Sequence, residues 1–411
     1  MTFVKSVDEI KVALDFGTKQ IAVGRLAINN RKIYFEYALD FIDRHIEISP
    51  FKLPLQPGLQ TFEHRLFEGL PGVFNDSLPD GWGRLLFDRL ARSINIPSSA
   101  ITPLDRLSYI GTNGLGALVF EPDFSSHDQS DIVSLDRLAM EAQDVLRGES
   151  VDVLQELIAL NGSSAGARPK ALIGVNKSHD HIIHGASELP GDFEPWMVKF
   201  PNMQDGSDAG AIEYVYALLA KKSGIDIPDV YLFPAEVGPG YFAIKRFDRD
   251  GLRRYHMHTA CGLLHSDFRA PSLDYEDLLN LTAILTRDFR EVEKMFRLAV
   301  FNVLAHNRDD HSKNFSFLMD EMGQWRVAPA YDLTFSSGPG GEQSTTVIGE
   351  GRKPGIPHLI KLAKEANISE AKALEVIEST QSSLMLWTDL AKKYRVTSEN
   401  IELIRQHLIT E

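Results

Sequence analysis

A single cysteine, Cys261, excludes any internal disulfide framework in this chain and suits a reducing cytoplasm, where a buried structural thiol is the plain reading of it. Long apolar runs are missing too: no stretch reaches about 18 residues, the length a membrane span needs. The start Met1-Thr2-Phe3-Val4-Lys5-Ser6 leads into acidic residues, so no secretory signal is expected either. Basic residues are in deficit. Lys and Arg number 43 against 57 Asp and Glu, and the net charge of −14 argues against sequence-independent nucleic-acid binding, which needs a basic face to neutralise phosphates. The small cluster Arg249, Arg253 and Arg254 beside Asp250-Gly251 reads as a solvated turn. Internal repeats and long low-complexity tracts are absent. What is present, 411 residues with 43% hydrophobic and 24% charged content, can bury large cores and fill two or three domains.

The most informative stretch is His306-Asn307-Arg308-Asp309-Asp310-His311-Ser312-Lys313-Asn314, followed by Asp332. Phosphoryl transfer needs a carboxylate beside the attacking hydroxyl and oxygen ligands that hold Mg²⁺ against the phosphates. Asp309 fits the base, and Asn314 with Asp332 fit the metal ligands. Upstream, Val292, Met295, Phe296, Ala299, Val300, Val303 and Leu304 recur at helical spacing and predict a buried helix that delivers the chain to Asn307. Downstream, Phe315 to Met319 and Trp325 to Val327 read as two strands of a hairpin turning at Asp320-Glu321-Met322-Gly323. Pro329 then blocks further ladder pairing just before Tyr331-Asp332. Two other readings stand beside this one: an ordinary solvated turn, and a hydrolytic metal site made of His306, Asp309, Asp310 and His311.

A second region bears on the choice. Asn161-Gly162-Ser163-Ser164-Ala165-Gly166-Ala167-Arg168-Pro169-Lys170 is rich in small residues, which let backbone N–H groups approach phosphate oxygens, and Lys170 adds a point charge. It is neither a Walker loop nor the glycine-rich loop of common protein kinases. Trp196-Met197-Val198-Lys199-Phe200 puts a lysine inside an apolar strand, where a charge is costly unless it meets an anion. A snorkelling edge-strand lysine is the plainer alternative. The following helix carries Glu213 near its start, buries Ile212, Val215, Tyr216 and Leu219 on one face and closes at Gly224. A strand Lys followed by a helix Glu is the ion pair with which kinases grip the α- and β-phosphates.

Six segments in order make the chain resemble the HipA family of serine/threonine kinases, the toxin half of bacterial toxin–antitoxin pairs. Phe74-Asn75-Asp76-Ser77-Leu78-Pro79-Asp80-Gly81 is similar to the family's N-x-L-P-E/D-G signature. Tyr109-Ile110-Gly111 with Gly116-Ala117-Leu118, Ser163 to Lys170, Ala243 to Arg249, Asp309 to Asn314 (D-x-H-x-K-N) and Ala328 to Leu333 match five further motifs. The resemblance implies an α+β, protein-kinase-like bilobal fold, distantly related to phosphoinositide-type kinases. It implies Asp309 as proton acceptor, Asn314 and Asp332 on Mg²⁺, and His311, Ser312, Lys313 and Tyr331 lining the nucleotide. Ala165, Gly166, Ala167, Arg168, Pro169 and Lys170 would cover ATP, Lys199 would touch its phosphates, and Lys245, Arg246 and Phe247 would form the adenine hinge. Lys245 stands where the family usually has Glu, and Arg168-Pro169 where it often has Gln-Glu. Pro169 thereby removes one N–H donor from the loop. Ser163, with Ser164 as second choice, matches the position the family phosphorylates on itself. A phosphate there carries about −1.5 to −2 charges into a loop meant for ATP and should eject it.

Residues 1–120 are expected to form a strand-rich N-terminal subdomain, with strands over Ile10 to Phe16, Ile21 to Leu26 and Lys32 to Tyr37. Residues 121–149 are expected to be a connector, marked by the polar Ser125 to Asp131. Residues 150–255 are assigned to a kinase N-lobe and 256–411 to a mostly helical C-lobe. Gly338-Pro339-Gly340-Gly341-Glu342 lies where a kinase activation segment would be. The reading is an ATP- and Mg²⁺-dependent, cytoplasmic protein serine/threonine kinase that phosphorylates another protein and itself. Its expected partner is a small helix-turn-helix antitoxin, through which alone it would meet DNA; no membrane is involved. Two rivals stand: a non-catalytic co-repressor working with such an antitoxin, and a phosphoinositide or small-molecule kinase.

Overall fold

The computed structural model describes residues 6–125, 132–148, 154–161, 166–185, 189–202, 205–270 and 272–410. Ser163, Ser164, Ala165 and most of the polar segment Ser125 to Asp131 lie outside the described residues.

The first sheet is antiparallel, in the strand order Gln60–Thr61, Lys32–Tyr37, Gln20–Asn29, Glu9–Asp15, Leu118–Glu121. Alternation decides which face is buried. Ile10, Val12 and Leu14 point inward with Ile33, Phe35 and Tyr37, while Lys11 and Glu36 point out. The inward face packs on Phe74, Leu104, Leu107 and Ile110. The helix Pro103–Ile110 starts with Pro at its first turn and a reciprocal cap between Thr102 and Asp105, whose carboxylate also accepts from Val7 N at 2.8 Å.

A second antiparallel sheet runs Ile182–His184, Lys170–Asn176, Phe193–Lys199, Tyr241–Lys245, Val230–Phe233. Both its faces are covered, which explains the continuous apolar run Ala171 to Val175. One face packs on Trp82, Leu86 and Leu90 of the helix Gly81–Ser93 and on Leu138, Ala142 and Val145 of the helix Leu135–Arg147. On the other lies the helix Ala209–Lys222, with Phe242 and Ile244 against Val215, Tyr216 and Leu219 in the large core. The helix Gly81–Ser93 thus follows the N-terminal signature in sequence but is built into the core of the second sheet.

The rest is a helical body around a three-stranded sheet, His256–Thr259, Ser316–Met319, Trp325–Val327. The helices Tyr275–Thr286 and Phe289–Leu304 are capped by Asp274 and Asp288, whose carboxylates accept backbone N–H groups of their first turns. Asp208 precedes Ala209–Lys222 but gives its carboxylate to Thr397 and Asn400 at 2.8–3.0 Å, pinning the last helix, Ser398–Arg405, to the head of this one. Among the described residues no helix is long and apolar enough to cross a membrane.

Candidate active site

The site lies between the second sheet and the helical body. The buried helix Phe289–Leu304 ends at Ala305, and the chain turns through His306 at φ 55°. Its next residues are locked from below. Asn307 donates to Asn302 Oδ1 at 2.9 Å, and Gln343 donates to Asn307 O at 3.0 Å. Fully buried Asp310 accepts from the Tyr275 hydroxyl (2.6 Å), Gln343 Nε2 (3.0 Å), Ser344 N (3.0 Å) and Thr345 N (3.2 Å). Burial pushes its carboxyl up to about 7 against the pull of those bonds. With Asp310 anchored inward, its neighbour Asp309 is left exposed to the cleft. Asn314 Nδ2 donates to Asp309 O at 2.8 Å, closing the short 3₁₀ turn Ser312–Asn314 over it.

The hairpin then places Asp332. The Tyr331 hydroxyl donates to Lys313 O and accepts from Ser316 Oγ, both at 2.6 Å, so the exit of the second strand is tied to the entry of the first. Asp332 itself has φ 57°, a left-handed conformation that Asp tolerates better than most residues but which still needs its surroundings to hold it. What holds it is Lys199. The Lys199 ammonium lies 2.6 Å from Asp332 Oδ1 and 2.5 Å from Glu213 Oε1, so one lysine from the second sheet joins the helix Ala209–Lys222 to the helical body. Its side chain is 10% exposed and that of Glu213 2%. Burial alone would lower the Lys199 pKa, but the Asp332 and Glu213 carboxylates outweigh it and hold it above the ordinary value. Burial would raise Asp332, yet Lys199, Lys170 and Arg168 hold it well below the usual carboxylate range.

Strand register adds a second lysine. Lys170 and Lys199 are directly opposite each other across adjacent strands. Like charges in that relation destabilise a sheet, and Lys170 is buried as well. Burial, then the neighbouring Lys199 charge, lower its pKa to about 8. Arg168 completes the group, 3.0 Å from Asp205 and 3.6 Å from Glu213. Three cations thus gather at one end of the sheet, with the carboxylates of Glu213, Asp332 and Asp205 among them. A cavity of about 870 Å³ opens on the side of Arg168, Lys199 and Glu213 that faces Met140 and Gln143 of the helix Leu135–Arg147; Lys170, Asp309, Asn314 and Asp332 are not among its lining residues.

The oxygen atoms facing this cationic end suit a hard cation such as Mg²⁺. The surrounding walls raise the Asp309 carboxyl, and the Asp332 charge raises it further against His311. Asn314 and Asp332 are the residues that would hold such a cation, whose charge would offset that of Asp332 beside Asp309. The bond from Asn314 Nδ2 to Asp309 O leaves Asn314 Oδ1 as the end able to face a metal. The hydrolytic alternative is not assembled: His306 stacks on Phe335, ring centroids 5.4 Å apart, and Asp310 is committed to its four donors. Among the described residues, no group of three or more His, Cys, Asp or Glu is placed to hold a metal.

The remaining expected site residues divide into two sets. His311, Ser312 and Lys313 sit on the Asp309 turn, with the Lys313 ammonium 4.5 Å from the Phe268 ring centroid. Phe247 lies 5.5 Å from Tyr331, ring to ring. The other hinge residues are otherwise engaged. Lys245 N donates to Asp229 O (2.8 Å) and Arg246 N to Pro195 O (2.9 Å). The Lys245 ammonium pairs with Glu194 at 2.7 Å. Buried Arg246 binds Asp248 and Gly114 O, and Asp248 also takes Arg249 and Gly116 N. Arg246, Asp248 and Arg249 therefore fasten the second sheet to Gly114 and Gly116, while Lys245 pairs within that sheet. Gly166, Ala167 and Pro169 are described and flank Arg168; Ala165 is not.

In the sequence Asp80 stands only as a letter of the N-terminal signature. Its carboxylate accepts from Gly166 N and from the Lys313 ammonium, so it touches both the small-residue loop and the Asp309 turn. The segment Gly338 to Glu342 is tied at its start by Gly338 N to Ser336 Oγ at 3.1 Å, and at its end by Arg308 to Gly341 O and by Arg352 to Glu342 at 2.9 Å.

With this geometry in view, residues 162–387 match the HipA-like C-terminal domain and residues 14–121 the HipA N-terminal domain. A curated protein of Sinorhizobium fredii, "Putative kinase Y4mE", is 29% identical over 153 residues, 34% of this chain and 34% of that protein, so the match spans about a third of its length. A chain of the solved Shewanella oneidensis MR-1 toxin–antitoxin complex of HipA, HipB and operator DNA aligns over 96% of this chain and 94% of its own, with TM-score 0.68 and 16% identity, a likeness of fold. The Helicobacter pylori proinflammatory kinase CtkA covers 52% of this chain at TM-score 0.36 and 14% identity.

Proposed function

The chain belongs to the HipA family and has its bilobal kinase-like fold, and from that premise we propose that it is an ATP- and Mg²⁺-dependent protein serine/threonine kinase. The observation that carries the reading is Lys199, which pairs at once with Glu213 and with Asp332 while facing Lys170 across the sheet. Lys199, Lys170 and Arg168 hold the phosphates, and the Glu213 pair fixes the first of them. Asp309 accepts the proton of the attacking hydroxyl, Asn314 and Asp332 hold Mg²⁺, and His311, Ser312 and Lys313 border the transferred group. The metal, when bound, neutralises charge on the phosphate oxygens. Phe247 and Tyr331 offer aromatic surface beside the hinge, whose side-chain charges serve packing instead. Residues 1–120 form the N-terminal subdomain, 121–149 the connector, 150–255 the N-lobe and 256–411 the C-lobe, with the helices Gly81–Ser93 and Leu135–Arg147 lent to the core of the N-lobe sheet.

The chain acts on another cytoplasmic protein, modifies itself at Ser163, and serves as the toxin of a pair whose helix-turn-helix antitoxin supplies contact with DNA. The fold likeness to a chain of a HipA–HipB–operator complex supports that partner. The test is transfer of labelled γ-phosphate to bacterial cytoplasmic proteins, followed by acid hydrolysis of the product. Label on phosphoserine or phosphothreonine that disappears with Asp332→Ala supports the reading. Label confined to lipid or small molecules, or label equal in the variant, overturns it.

A further inference from the structure

We propose that the Asp80 carboxylate is a built-in stand-in for a nucleotide phosphate: it occupies the anion position between Gly166 N–H and the Lys313 ammonium, and a triphosphate must displace it to bind. The inference rests on the kinase reading for the identity of the displacing ligand. Three observations carry it.

First, both groups that Asp80 engages lie where that reading puts the nucleotide: a backbone N–H of the loop that covers ATP, and a lysine that borders the transferred group. Carboxylate and phosphate oxygens are interchangeable acceptors for such donors, since each is anionic and takes short charge-assisted bonds. Secondly, Asp80 sits in the capping position of the helix Gly81–Ser93, yet its carboxylate makes no capping bond there; only its backbone O accepts from Arg84 N. Thr102 and Ser134, in the same position on neighbouring helices, both cap their own first turns. An Asp that forgoes its own helix dipole and reaches outward is held by something stronger.

Thirdly, the backbone is shaped for this reach. Gly81 has φ +43°, and a Cβ there would stand 2.5 Å from Gly166 O and 2.8 Å from Ala167 Cα, so only glycine lets the helix head approach the loop. Trp82 N donates to Gly166 O at 3.0 Å and completes the clasp. The body of the helix is fixed in the core of the second sheet through Trp82, Leu86 and Leu90, so the carboxylate is presented from a rigid base. Burial would raise the Asp80 pKa, but Lys313, the Gly166 N–H and Lys170 hold it below the ordinary carboxylate value, so it is an anion throughout the neutral range.

Nucleotide affinity measured on the full chain tests this, with Mg²⁺–ATP and with adenosine, in the native protein and in Asp80→Asn. The amide keeps the shape and an acceptor for Gly166 but loses the charge. ATP should bind the variant on the order of 10-fold tighter, the size of a typical coupling between competing groups. Adenosine, having no phosphate, should bind both proteins alike. Asp80→Ser, which also keeps an acceptor without charge, should tighten ATP in the same way and replaces the first variant if that one does not fold. Unchanged or weaker ATP binding by folded variants, with ATP bound by the native chain, overturns this inference and leaves the kinase reading standing. Equal tightening of ATP and adenosine overturns it too, since the phosphate would then be irrelevant. A native chain that binds neither ligand overturns the kinase reading and this inference with it.

Discussion

Replacing Lys199 by Met removes the cation from between two carboxylates and leaves the apolar stem in place. At separations of 2.5 and 2.6 Å the gross attraction to Glu213 and Asp332 is large; with an effective dielectric constant of about 20 it is roughly 6 kcal/mol for each partner. Desolvation of the three ions cancels most of that, and what the variant exposes is the imbalance. Glu213, 2% exposed, keeps only Arg168 at 3.6 Å. Breaking a buried pair from one side typically costs about 3–5 kcal/mol, and that is the expected loss at neutral pH in urea unfolding.

The sign with pH follows from Glu213. Burial already raises its carboxyl above the usual 4.5, and removing Lys199 raises it further. A group whose folded pKa is raised stabilises below its unfolded value and loses that contribution as pH climbs through the folded one. The deficit of Lys199→Met should therefore be smallest near pH 4.5 and grow toward neutrality. Adding Glu213→Gln removes the orphaned charge, so the double variant should regain most of the stability but none of the phosphate transfer. Lys199→Met within about 0.5 kcal/mol of native at neutral pH, the range of an ordinary surface change, would refute the argument. So would a double variant that regains transfer.

Three further outcomes are expected. Asp310→Ala strands the Tyr275 hydroxyl, Gln343 amide and two backbone donors, and should lower stability by about 3–5 kcal/mol in chemical denaturation while disordering the Asp309 turn. Lys170, titrating near 8, should make ATP affinity fall as pH rises through that value, a dependence that Lys170→Arg flattens; because the unfolded lysine keeps its proton to about 10.5, folding stability should rise over the same interval. Intact-mass analysis after incubation with ATP should show one added phosphate on the native chain and none on Ser163→Ala; unchanged incorporation would shift the modification to Ser164 or elsewhere.

Local patterns in the sequence were sufficient for several elements. The helix ending near Leu304, the hairpin of Ser316–Met319 and Trp325–Val327, and the strands at Glu9–Asp15, Gln20–Asn29 and Lys32–Tyr37 follow from periodicity and turn residues over short windows. Lys199 and Glu213 were legible as a pair because a charge inside an apolar strand demands a partner, and the next helix offered one. Registers and long reaches were not legible. Nothing in the spacing of Lys170 and Lys199 says that they face each other, since that depends on how two strands pair. Asp80 looked like an ordinary residue before Gly81, and its engagement with Gly166 and Lys313 exists only once the helix Gly81–Ser93 is packed on the second sheet. The Arg249 to Arg254 cluster misled in the opposite direction. It reads as a solvated turn, whereas the Arg249 and Arg254 side chains are buried against Asp248 and Asp15.

The most direct test of the central claim is Mg²⁺-dependent phosphate transfer from labelled ATP by the native chain and by Asp309→Asn. The substitution keeps the shape of the turn, whose bond from Asn314 goes to the backbone of residue 309 and not to its side chain. A positioned general base contributes roughly 10²–10⁴-fold, so the variant should fold normally, still bind Mg²⁺–ATP and lose nearly all transfer. Equal transfer by native chain and variant, or none from a native chain whose Ser163 carries no phosphate, would contradict it.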